Sequence, residues 1–551
     1  MPRRAADLIV DCLAGHGVDR VFCVPGESYL AVLDALHDSN AIQTIVCRHE
    51  SGAGFMAVGD AKVTGRPGVA FVSRGPGATN ASIAVHVAEQ DAVPLVLFIG
   101  QVPRGEIGRR SFQEVDYAKT FADMAKGVYV IHDPARIPEI VARAFVEAQA
   151  PTPGPVVVVL PEDMLEEMTQ ASAVEPLAVP RAAAPGADTI ADIAAMIAKA
   201  ERPLLIAGGP GVGTLSGRAA LLAASQAHDL PVALSFKRQD YFPNTHPHYA
   251  GHLGFKIPKV AVARYLEADL ILAVGTRLTE VTTQGYTLPA SPVPRQPLVH
   301  IHDDPRQIGR NYTAALALVA DPVATLAALA AAPTSAPPKR AAWIKSLHEP
   351  VAKAMVWSPP ADGLLDMGPV VAALAKRVDK DAIFVTDAGN FSGWLHRHFP
   401  FSGEHLLIGC VGGAMGIGMP ASVAAALRWP GRQVIHFLGD GGALMTGSEL
   451  ATAMQYGANV KTFISNNGSY ATIRMHQEIA YKGRVHGTEL KNPDFAKWGE
   501  SFGALGLCLR SIEDAPRVVE QVLAHDGPVV VDVKTTVEHI APFATIAQLR
   551  G

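Results

Sequence analysis

Apolar residues in this chain come in short β-branched runs separated by longer alanine-rich stretches. The first third carries RVFCVP, TIVCRHE, GVAFVSRG, PLVLFIG and PVVVVLP. The second carries PLLIAGG, LPVALSF, LILAVG and LVHIHDD, and the last AIFVTDAG, QVIHFLGDGG, VKTFISNN and PVVVDVKT. Strand-length runs alternating with helical segments predict parallel α/β architecture. Two Pro/Ala-rich stretches, 174–188 and 332–340, read as linkers. At 551 residues the chain exceeds what one core can hold. We therefore expect three parallel-sheet α/β domains: 1–173, 186–333 and 360–551. No short fixed period suggests a solenoid.

Composition narrows the class. A net charge of -5 leaves no basic footprint for nucleic acid. The apolar runs are far too short to span a membrane, and the N-terminus lacks the uninterrupted apolar core of a signal peptide. Five cysteines without a CxxC pair predict reduced thiols in a cytoplasmic protein, and exclude a cysteine-cluster zinc site.

The densest chemistry lies between Gly439 and Asn467, in GDGGALMTGSELATAMQYGANVKTFISNN. It reads as strand end, glycine turn, helix, strand. A right-handed crossover sets the two strands side by side, so Asp440 and Asn467 meet at one sheet edge. A carboxylate and an amide oxygen beside bare backbone N–H groups suit Mg²⁺ or Ca²⁺ holding a phosphorylated ligand. The plainer reading is a Rossmann-like turn and a helix cap, although neither GxGxxG nor a Walker loop is present.

GDG followed at this distance by NN resembles the thiamine-diphosphate signature of the acetolactate synthase, pyruvate oxidase and pyruvate decarboxylase group. The resemblance implies Mg²⁺ bound by Asp440, Asn467 and the Ser469 carbonyl. It also implies a diphosphate against Gly441, Gly442, Gly389 and Asn390. In GGAMGIGMP, Gly413 joins the cofactor residues and Met415 matches the apolar residue that props the cofactor in its bent form. Glu50, in TIVCRHESGAG, matches the carboxylate that hydrogen-bonds N1′ of the aminopyrimidine. Alone it would read as a helix N-terminal acid. Two thiamine-diphosphate-binding folds, pyrimidine-binding first and diphosphate-binding last, would then flank a Rossmann-like middle domain, 186–333, whose AGGPGVG, GTRLTE and HIHDDPRQIGRNY resemble that part of the family. The site would form between subunits of a homodimer or homotetramer. The flavin pattern of acetolactate synthases is poorly reproduced here, which counts against bound FAD.

SRGPGATN and SFQEVD resemble acetolactate synthase segments and place Phe112, the catalytic candidate Gln113 and Lys126 at the substrate channel. SFQE also fits a capping box. Ile473 and His476 open the helix that would face the substrate. His476 stands where acetolactate synthases carry a Trp, or else is simply an exposed helical histidine. Glu27, in CVPGES, either brings an acid near the thiazolium or faces solvent at a helix start. The reading is a carboligase that decarboxylates a small 2-oxo acid such as pyruvate and ligates the enamine to an acceptor carbonyl. The alternatives are a non-oxidative 2-oxo acid decarboxylase or an aldehyde lyase. A catalytically idle nucleotide-binding protein is disfavoured by Glu50, Asp440 and Asn467 together.

Overall fold

The structure is a computed structural model describing residues 2–255, 257–334 and 340–551; residues 335–339 of the second linker lie outside the described residues. Three six-stranded sheets, each wholly parallel, follow one another along the chain. The β-branched runs form their strands because such side chains pack well on pleated surfaces covered on both faces.

The first sheet runs in space Gln43–Val46, Arg20–Cys23, Gly68–Val72, Leu95–Gln101, Pro155–Pro161, Gly127–Val130. The third runs Leu406–Gly409, Ile383–Thr386, Val434–Gly439, Val460–Ser465, Val529–Val533, Leu505–Leu509. Numbering each sheet's strands in chain order, both read 2-1-3-4-6-5. The middle sheet reads 3-2-1-4-5-6, the dinucleotide-fold order, so the Rossmann-like expectation holds for that domain. In the outer sheets the order reverses between strands 1 and 3, which opens a crevice at their carboxyl ends. In the third sheet those ends lead into Asp387–Asn390 and Asp440–Gly442. In the first they lead into Gly26–Ser28 and Ser73–Gly75.

The outer domains share one apolar cluster, from Phe55 and Met56 through Ile417, Met419 and Ala421 to Leu438 and Ile464. The helix Glu50–Thr64 crosses the helix Gly418–Arg428 at its centre. Small residues set this approach: a Cβ on Gly59 would stand 2.7 Å from Ala421 Cα. Charged groups seal the rim. Arg428 donates to Asp60 and Asp19 at 2.8 Å, and Asp91 accepts from the Val411 and Gly412 N–H groups while pairing with Lys62. Inside the seam, buried Glu449 accepts from the Arg48 and His49 N–H groups at 2.9 and 3.1 Å, just before the helix that begins at Glu50. The third domain thus fixes the start of a first-domain helix. Among the described residues no helix is long and apolar enough to cross a membrane.

Overpacking the seam tests its role. Gly59→Val should cost about 1–3 kcal/mol of stability. Gly15→Ala, at a helix end where an added Cβ meets nothing within 4 Å, should leave the melting temperature nearly unchanged. Equal melting temperatures for the two variants would show that the seam yields freely.

Candidate active site

The third sheet's crevice is organised by Asp440. The strand Val434–Gly439 pairs with Val460–Ser465 so that Gly439 lies opposite Ser465, and the next residues emerge side by side. Asp440 Oδ2 accepts from the N–H groups of Asn467, Gly468 and Ser469 at 3.1, 2.7 and 3.3 Å, and from Asn492 Nδ2 at 2.9 Å. Its Oδ1 accepts from the Gly441 N–H at 2.9 Å. Burial pushes this carboxyl above its usual range, while those donors pull it back. The two asparagines have separate tasks. Asn466 donates to Asp532 and accepts from Asn492, both at 2.9 Å, whereas Asn467 lines the cavity beside Asp440.

That cavity, about 200 Å³, is lined by Gly389, Asn390, Gly413, Met415, Asp440, Gly441, Gly442, Asn467, Ser469 and Ile473. The fold therefore gathers these predicted residues in one place. Side chains at the glycines would fill it or its walls: a Cβ on Gly441 would strike the Tyr470 ring, and one on Gly442 the Asp387 carboxylate. Asp387 is fully buried and accepts from the Gly416 and Ala388 N–H groups at 2.8 and 2.9 Å, which ties down the loop carrying Met415. Burial pushes its carboxyl up to about 6. Ser469 Oγ is buried without a hydrogen-bond partner, although an orphaned hydroxyl is costly. The Ser469 carbonyl accepts from Ala471 and retains a second lone pair. A glycine cradle, an orphaned hydroxyl and a carboxylate–amide–carbonyl oxygen set fit a diphosphate with a hard cation.

The first-domain candidates lie elsewhere. Glu50 opens its helix behind the N-cap His49 and accepts from Asn80 Nδ2 at 2.9 Å. Glu27 and Gln113 come together through Arg74, which is buried at the first sheet's crevice. Arg74 pairs with Glu27 and donates to Glu162 and Gln113 at 3.2 and 3.4 Å. Phe112 is 75% exposed. Lys126 is tied to its own domain. Its amine donates to the Ala150 and Thr152 carbonyls at 2.6 and 2.8 Å, so it fastens the loop that meets Asp304 of the middle domain. Burial pushes this lysine down to about 8.

His476 is exposed on the helix Ala471–Tyr481 and lines a second cavity adjoining the first. Glu478, two residues on, is buried and clamped by Arg550 at 2.7 and 2.8 Å. A smaller cavity sits at the middle sheet's crevice, where Gly208–Gly211 faces Gly275–Arg277 and Asp303.

Family comparison agrees with this geometry. The thiamine pyrophosphate enzyme N-terminal binding domain matches residues 3–120, the central domain 190–329, and the C-terminal binding domain 387–533. The chain is 34% identical to the acetolactate synthase large subunit of Parasynechococcus marenigrum (strain WH8102), over 96% of this chain and 87% of that protein. It is 31% identical to the acetolactate synthase isozyme 1 large subunit of Escherichia coli (strain K12), over 97% of this chain and 94% of that protein. This chain belongs to the thiamine pyrophosphate enzyme family. Within that family it is an acetolactate synthase-like enzyme, as the GDG…NN resemblance implied.

Sequence reasoning missed Asn492, Asp387, Arg74 and Glu449. The aspartate of TDAG ends a strand beside two residues that were singled out, so Asp387 carried a usable signal. Asn492 carried none, because a lone Asn before Pro reads as a turn.

Glu478, in the His476-Gln477-Glu478 turn of the helix Ala471–Tyr481, has a structural role. Arg550 holds the Glu478 carboxyl down at about 2, against an ordinary 4.5. Its depressed value means that the clamp is in force above pH 4.5 and is lost as pH falls toward 2. Glu478→Gln should loosen the terminal helix Ile546–Arg550 at pH 7, modestly because Arg550 is half exposed and solvent screens the pair. Hydrogen exchange of that helix reads the effect; unchanged protection would remove the clamp.

Proposed function

We propose that this enzyme is a Mg²⁺- and thiamine-diphosphate-dependent carboligase that decarboxylates a small 2-oxo acid such as pyruvate and joins the remaining fragment to an acceptor carbonyl. The observation that carries this reading is the buried Asp440 carboxylate beside Asn467, Ser469 and a glycine cradle in one cavity. Asp440, Asn467 and the Ser469 carbonyl would hold the metal. Gly389, Asn390, Gly413, Gly441 and Gly442 would receive the diphosphate, and Met415 would prop the cofactor's bend. When bound, thiamine diphosphate supplies a thiazolium carbon acid that serves as nucleophile and electron sink.

Glu50 would hold and return the proton at N1′ of the aminopyrimidine. Among the described residues, those lining the cavity all fall between 366 and 540, so the Glu50 that serves it would come from a second copy. Exposed apolar rims support that assembly. Leu444, Met445 and Ile473 stand beside the cradle, and Leu30 and Phe112 on the first-domain edge. Glu27, the residue favouring a simple decarboxylase, is ion-paired to Arg74, which supports ligation over protonation. His476 and Ile473 would then face the 2-oxo acid and its acceptor.

Two substitutions separate the roles. Asp440→Ala should weaken Mg²⁺-dependent cofactor binding about tenfold or more by titration calorimetry; unchanged affinity would refute the clamp. Glu50→Gln should still bind cofactor but lose about 10²–10⁴ in turnover, and full turnover would remove Glu50 from catalysis. With a panel of 2-oxo acids, CO₂ release and a ligated product mass are expected. Release of the free aldehyde alone would favour the decarboxylase.

A further inference from the structure

A cavity of about 360 Å³ lies between the middle and C-terminal domains and shares Gly389, Asn390 and Gly413 with the Asp440 cavity. Most of its wall is apolar or aromatic, including Phe236, Tyr249, Phe255, Tyr265 and Val351. Set into that wall is Lys237, only 5% exposed. Its Nζ lies 2.7 Å from His396 Nε2, 3.3 Å from Thr386 Oγ1 and 3.5 Å from Ser392 Oγ. Every one of these partners is neutral, because burial pushes His396 well below the ordinary imidazole range.

The histidine's tautomer follows from its other side. The Gln239 amide is 3.0 Å from His396 Nδ1, and the amide oxygen has no partner of its own. With that oxygen turned to Nδ1–H, the Nε2 lone pair is free to accept from Lys237. The nearby acids are engaged elsewhere: Asp387 accepts from Gly416 and Ala388, and Asp91 pairs with Lys62. Arg397 adds a second positive charge to the wall. Among the described residues no carboxylate lies within ion-pair distance of either cation. Lys237 also sits at φ 61°, a left-handed backbone that a non-glycine residue adopts at a cost.

A buried ammonium without a counter-charge is expensive. A strained backbone that aims it into a cavity is a further cost, of a kind that clusters at binding sites. An arriving carboxylate would neutralise the ammonium through a charge-assisted hydrogen bond. We propose that Lys237 binds the carboxylate of an acid whose aromatic or branched aliphatic body fills this cavity. On the carboligase reading, that acid is the acceptor, larger than pyruvate and lying against the cofactor site. Binding itself does not depend on that reading.

The test uses cofactor-free full-length protein titrated with phenylacetate and its neutral isostere phenylacetamide, neither of which can react. Wild type should bind phenylacetate about tenfold more tightly than the amide. Lys237→Met should erase that preference, leave amide binding unchanged, and melt no lower than wild type; Lys237→Arg should restore part of it. Equal binding of acid and amide by wild type overturns the proposal, with no variant needed. So does unchanged phenylacetate affinity in folded Lys237→Met. Thiamine diphosphate titrated separately into wild type judges the carboligase reading, so the two can fail independently.

Discussion

One buried carboxylate holds the functional end of this molecule together. Asp440 takes hydrogen bonds from Gly441 on its own turn, from Asn467, Gly468 and Ser469 on the next strand's exit, and from Asn492 further on. All but the Asn492 side-chain amide are backbone groups that would otherwise be orphaned at two strand ends and a helix start. The same network leaves a glycine-walled cavity and an unsatisfied serine hydroxyl beside the carboxylate. Stability and ligand preference thus rest on one set of atoms. In the proposed function a cation shares the Asp440 charge with the donors already there.

The outer sheets share a strand order, and therefore a crevice in the same topological place. Chemistry has diverged between the two. The third sheet places acids there, Asp387 and Asp440; the first places Arg74, which collects Glu27, Glu162 and Gln113. Glu449 joins the two domains by capping the backbone just ahead of Glu50. A change in the seam between the outer domains is therefore felt at the helix start that bears the proposed acid–base residue.

The parallel sheets and their helical covers were legible because buried parallel strands need continuous β-branched runs. Asp440 and Asn467 were legible because a crossover brings consecutive strand ends together. Residues whose roles depend on distant partners were not. Asn492 and Glu449 look like a turn residue and a helix acid until folding delivers Asp440 and the Arg48 backbone to them. The Lys126 amine finds the Ala150 and Thr152 carbonyls, partners that its neighbours in sequence do not announce. Lys237 showed no local pattern, since its burial comes from packing of the middle domain on the C-terminal one. Two residues past His476, Glu478 has a structural task, and its partner Arg550 is 72 positions away.

The central claim is that an Asp440-centred cavity in one copy works with Glu50 of another. Mixing two separately inactive proteins, one carrying Glu50→Gln and the other Asp440→Ala, tests it most directly. After subunit exchange, a mixed dimer would hold one site with both groups intact, so the account predicts that carboligase activity returns. No activity from the mixture, once mass spectrometry shows that mixed dimers have formed, would contradict it.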